Sequence, residues 1–111
     1  MNEALRRAKA RLDRLELYPR PVRIERLRVV VSPWFFRLPR LRRFAGFATP
    51  RVILLRYPLG AGTSEDLLCH ELCHVWQMQH RPLRMPLSYL YCRYASNPYE
   101  VEARAAVART G

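Results

Sequence analysis

The sequence predicts an α+β fold: a short twisted sheet of three or four strands with an N-terminal helix, a central helix and a C-terminal helix. Three observations predict it. Apolar residues recur at helical spacing near residues 2–17 and 64–79, and an alanine-rich stretch near 99–109 follows a helix-start signal. Alternating and β-branched runs fill the space between the first two of these segments. Nine prolines and four glycines punctuate the joins. At 111 residues, half of them apolar, the chain is expected to form a single domain, 1–111, globular rather than disordered.

Asn2 is placed to cap the first helix, with Glu3 in its first turn and Leu5, Ala8, Leu12 and Leu15 as its apolar stripe. The helix should run to about Leu17, because Pro19 and Pro21 cannot continue it. Val22-Arg23-Ile24-Glu25 opens a strand by alternation, and Leu27 to Val31 continues it. Trp34-Phe35-Phe36 reads as core, or as a lip over a site. Phe44 to Ala48 reads as a short strand bent at Gly46. Arg51 to Tyr57 is the clearest strand. Thr63 or Ser64 caps the central helix, with Asp66 as the partner of a capping box, and that helix runs to about Gln79. Pro82 and Pro86 break the chain, and Leu87 to Ala95 forms a short helix. Asn97-Pro98-Tyr99-Glu100 is a strong start for the last helix, with Asn at N-cap and Glu at N3.

The charge is one-sided. Net charge is +11, and Lys9 is the only lysine. Such a surface can attract nucleic acid, but the arginines are spread along the chain rather than gathered on one element, so a nucleic-acid partner is not favoured. No apolar run approaches the ~20 residues of a membrane span. The charged stretch Met1 to Leu17 is no signal peptide. Three cysteines, an odd number without paired spacing, fit a reducing compartment. Together these lead to the expectation of a cytoplasmic protein with no membrane partner.

The central helix carries the chemistry. His70-Glu71-Leu72-Cys73-His74 reads H-E-x-x-H. On a helix the two imidazoles lie one turn apart and point the same way, so both can grip one zinc ion at about 2.0–2.1 Å. Glu71 falls about 100° further round. There it can reach a metal-bound water without being a ligand, which makes it the candidate general base. A Cys69/Cys73/Cys92 metal site is the weaker alternative, since the spacing is not that of a zinc ribbon.

A catalytic zinc takes a third protein ligand. Glu100, Glu102 and His80 compete for that place. His80 has the metzincin spacing, with Gln77 where those enzymes have glycine. On an unbroken helix it lies about 9 Å along the axis from His74 and cannot reach.

The motif followed by Asn97-Pro98-Tyr99-Glu100-Val101-Glu102-Ala103-Arg104 resembles the gluzincins, minimal ones above all, and small bacterial H-E-L-x-H-V-W-Q proteins. The resemblance covers about residues 51 to 109 and implies a zincin-like fold. It implies that Glu100, matching the first Glu of Glu-x-x-Ala-Asp, is the third ligand, with Glu102 as the alternative. Arg104 stands where that pattern has Asp, a residue that usually supports a ligand histidine. The resemblance further implies a peptide or protein substrate laid along an edge strand, either Val52–Tyr57 or Phe44–Ala48. Tyr89, Tyr91, Tyr94 and His80 are the groups available to steady an oxyanion.

The expected function is zinc-dependent peptide hydrolysis with Glu71 as general base. Two alternatives stand beside it: a non-catalytic zinc-stabilised interaction domain, and a DNA-associated protease similar to the SprT type.

Overall fold

The structure is a computed structural model and describes residues 2–110. Four helices and one three-stranded mixed sheet make up the fold. They are α1 (Asn2–Asp13), β1 (Arg28–Val31), β2 (Gly46–Ala48), β3 (Val52–Leu55), α2 (Glu65–His80), α3 (Arg84–Tyr91) and α4 (Pro98–Thr110). Single 3₁₀ turns occupy Pro33–Arg37 and Tyr94–Ser96.

α2 is the hub. Ten of its sixteen residues are buried, Leu68, Cys69, Leu72, Cys73, Val75 and Trp76 among them. A helix this apolar all round is stable only when covered on every side. One side meets Ile53 and Leu55 of β3; the others meet Ala4, Leu5, Ala8 and Leu12 of α1 and Ala103 and Ala106 of α4. Alanine at the α4 contacts lets that helix lie close to α2. This closeness is what brings a short α4 carboxylate within reach of α2 side chains.

Both ends of α2 follow local rules. Ser64, not Thr63, is the cap: its Oγ accepts from the backbone N–H of Leu67 at 3.1 Å. Thr63 instead donates to the Tyr57 carbonyl. Asp66 is turned to Arg11 of α1 at 2.9 Å, and Arg7 meets Glu65 at 3.2 Å. The helix ends one residue later than expected, at His80.

The sheet has order β1-β3-β2. β1 is parallel to β3, with Arg28 opposite Val52 and Val31 opposite Leu55. β2 is antiparallel to β3, with Gly46 opposite Leu55 and Ala48 opposite Ile53. The Val52–Leu55 strand is therefore central and offers no free edge. β2 does.

Several expected boundaries move, each for a visible reason. α1 stops at Asp13 rather than Leu17, because the Asp13 carboxylate accepts from the backbone N–H of Val22 and pins a reversal of the chain. Glu16 takes the left-handed conformation, φ 51°, inside that reversal. The cap expected of the Asn2 side chain lies outside the described part. Val22 to Glu25 joins no sheet. The Arg23 backbone is satisfied by Gln79, which accepts from its N–H at 2.9 Å and donates to its carbonyl at 2.7 Å. α3 starts at Arg84, before Pro86. A proline in the first turn removes a donor that has no partner there in any case. Trp34 is not core; it is 67% exposed, whereas Phe36 is fully buried. Among the described residues no helix is long and apolar enough to cross a membrane.

Candidate metal centre

α2 presents His70 and His74 on one face, and α4 brings Glu100 to meet them. Asn97 sets the entry of α4. Its Oδ1 accepts from the Tyr99 N–H at 2.8 Å, and its Nδ2 donates to Ser88 Oγ of α3 at 2.9 Å. Glu100 then falls at N3, buried and pointing at α2. Its Oε1 lies 3.1 Å from His70 Nε2, and its Oε2 lies 2.8 Å from His74 Nε2. The two Nε2 atoms are 3.1 Å apart. Donor atoms around a tetrahedral zinc sit about 3.3 Å apart, so this triangle is contracted by a few tenths of an ångström. Among the described residues this is the group of His, Cys, Asp and Glu side chains close enough to hold a metal ion.

The hydrogen bonds say which atom of His74 is available. Gln77 is fully buried. Its Nε2 faces two acceptors, the Tyr99 carbonyl at 2.9 Å and Glu102 Oε1 at 3.0 Å. The nitrogen must be on that side, so Gln77 Oε1 faces His74 Nδ1, at 2.7 Å. An amide oxygen only accepts; His74 Nδ1 therefore carries a proton. The Nε2 lone pair is left pointing into the triangle with a carboxylate and a second imidazole. Three acceptors converging on one point is the arrangement of a cation site. Burial works to lower the His74 pKa, but the Glu100 carboxylate, with help from Glu71 and Gln77, outweighs this and leaves it raised. The extra proton would sit at Nε2, and a metal ion would replace it. Burial pushes the Glu100 carboxyl up, yet hydrogen bonds from His70 and His74 hold it well below the usual carboxylate range.

Glu102 and His80 are not part of this group. Glu102 Oε1 accepts from Tyr18 Oη at 2.5 Å as well as from Gln77. It is thus an inner link of a relay that runs from Tyr18 through Glu102 and Gln77 to His74. His80 stacks on Tyr18 with centroids 5.0 Å apart, and its Nδ1 donates to the Trp76 carbonyl. The relay answers the departure at Arg104. No carboxylate stands there to orient a histidine; Arg104 instead bonds the Ala95 carbonyl and lies 3.9 Å from Glu100 Oε1. Gln77 was legible as one α2 turn from His74. Tyr18 and Glu102 were not, because 84 residues separate them.

Glu71 lies beside the triangle, buried on α2. Burial pushes its carboxyl above the usual carboxylate range, against the opposing pull of His74 and His70. Gly46 of β2 crosses directly over it. A Cβ at Gly46 would lie 3.0 Å from both Glu71 Cγ and Oε2. Glycine is what lets the edge strand pass this close.

Glu71, His74 and Glu100 open on a cleft of about 440 Å³ between β2 and α3. Phe44, Phe47, Met78, Met85, Tyr89 and Tyr94 give it apolar walls. Tyr89 donates to Glu100 Oε2 at 2.6 Å, so its hydroxyl is committed to the triangle. Tyr94 lines the cleft, while Tyr91 is 73% exposed and outside it. Cys69 and Cys73 are buried among leucines, and Cys92 stands apart in the cleft wall, so the cysteines form no metal group. The chain matches no known protein family, no curated protein and no solved structure.

Proposed function

We propose that the protein is a zinc-dependent, gluzincin-type peptidase, acting in a reducing compartment such as the cytoplasm. His70, His74 and Glu100 would hold the metal. The observation that carries this reading is the pairing of a two-imidazole, one-carboxylate triangle with a separate buried carboxylate, Glu71, at the floor of an open cleft. A purely structural zinc has a fourth protein ligand and a closed shell. Here three donors converge, and two of them, His74 and Glu100, line the open cleft.

When bound, zinc supplies a Lewis acid toward the scissile carbonyl and draws the pKa of a water toward neutrality. The remaining work falls to the chain. Glu71 would accept the proton of the attacking water and deliver it to the leaving nitrogen. β2 offers free backbone groups alongside Glu71, and an extended peptide can pair with them. The apolar walls exclude water and favour a bulky apolar side chain next to the scissile bond. Tyr94 also lines the cleft, and its phenol is the group we assign to donate to a developing oxyanion.

Glu71→Gln tests the reading. We expect zinc content unchanged and hydrolysis of unfolded casein lowered about 10²–10⁴-fold, the usual cost of losing a general base. Wild type without hydrolytic activity, carrying a full complement of zinc, would instead support a metal that staples α2 to α4. The DNA-associated alternative needs a third histidine, and His80 is packed on Tyr18.

A further inference from the structure

The cleft accounts for one face of α3; the opposite face is unusual for a water-exposed surface. Met85 and Ser88 turn inward. Outward lie Leu83 (73% exposed), Leu87 (50%), Leu90 (81%) and Tyr91 (73%). At about 100° per residue these four positions fall within an arc of roughly 100°, with no charged side chain among them. Single exposed leucines are ordinary; a continuous apolar arc marks a contact surface.

The charge around it is as one-sided as the arc. Arg81, Arg84 and Arg93 flank the helix, all exposed, and none has an acidic partner among the described residues. Between Glu71 and Glu100 the sequence contains no Asp or Glu at all. A second copy of the chain is a poor fit, since a two-fold contact through this face would set arginine rims against each other. The face is also one side of a single two-turn helix.

We propose that the outer face of α3 docks on an anionic lipid surface. Leu83, Leu87 and Leu90 would enter the acyl boundary, Tyr91 would lie at headgroup level, and the three arginines would meet lipid phosphates. This is contact from one side, not a span, so it is compatible with the absence of a membrane-crossing helix. It does not depend on the cleft being catalytic. It has a positional consequence: Pro86 and Tyr89 belong to the same helix and line the cleft, so the cleft mouth would open close to the lipid plane.

Co-sedimentation with vesicles tests it. The expected result is binding to phosphatidylcholine vesicles containing about a third phosphatidylglycerol, and at least tenfold weaker binding to phosphatidylcholine alone. A net charge of +11 could give some of that by itself. The deciding variant is therefore charge-neutral. Leu87→Ser with Leu90→Ser should weaken binding on the order of tenfold or more, with zinc content and melting temperature unchanged. Equal binding by wild type and the double variant would overturn the proposal. So would no binding to anionic vesicles, or a protein dimer that the double variant abolishes.

Discussion

Gln77→Leu is the substitution that most sharply probes how the site is held. Leucine has nearly the same volume, so the cavity cost is small. What disappears is the acceptor for His74 Nδ1–H and the donor to Tyr99 and Glu102. His74 is 4% exposed, and an orphaned N–H at that depth costs about 1–3 kcal/mol. The imidazole also loses the bond that fixes its tautomer, and loss of such a support weakens metal affinity about 10–100-fold. The assay is a competitive zinc titration with a chromogenic chelator, alongside urea unfolding of the metal-free protein. Gln77→Glu should be worse than leucine for stability, because a carboxylate then faces Glu102 across 3.0 Å. Adding Glu102→Gln puts an amide donor back between them. The cycle should return a favourable coupling of about 1–3 kcal/mol. A zinc affinity within twofold of wild type for Gln77→Leu would refute the relay.

Three further outcomes follow from the same geometry. Gly46→Ala should keep the zinc and lower turnover at least tenfold, because the new methyl presses on the Glu71 carboxylate; equal turnover in a kinetic assay would show that β2 can yield there. Cys69 and Cys73 are fully buried, and burial pushes both thiols up, so mass spectrometry after brief alkylation of native protein should find Cys92 modified first; early labelling of Cys69 or Cys73 would contradict the packing of α2. Burial and the Glu102 bond push the Tyr18 phenol well above 10, so the folded state keeps a proton that the unfolded state loses; stability should therefore fall as pH climbs past about 10, and Tyr18→Phe should make that fall shallower in chemical unfolding measured from pH 8 to 11.

How much of this was legible in the sequence depended on the range of the interaction. The H-E-x-x-H pair needs only one helical turn, and Asn97-Pro98-Tyr99-Glu100 is a local start signal; both are found where the sequence places them. The meeting of Glu100 with His70 and His74 is not local. It rests on Ala103 and Ala106 letting α4 close on α2, a reason visible only once the helices are packed. The strand expected from Val22 failed because Gln79, 56 residues away, satisfies the Arg23 backbone. Trp34 failed for the converse reason: an aromatic run reads as core, but the three residues lie in a 3₁₀ turn that buries only Phe36. Edge and centre of the sheet were equally hidden, since strand order is set by tertiary pairing and not by strand composition.

The proposed function rests on one zinc held by His70, His74 and Glu100. Metal content answers it most directly, measured on protein purified without chelator for wild type, Glu100→Ala and Glu102→Ala. Wild type should carry about one zinc per chain, Glu100→Ala close to none, and Glu102→Ala zinc that is still present but more easily removed, because only the relay is cut. Zinc retained in Glu100→Ala and lost in Glu102→Ala would contradict the assignment. No zinc in wild type, even after it is offered, would contradict the metal centre itself.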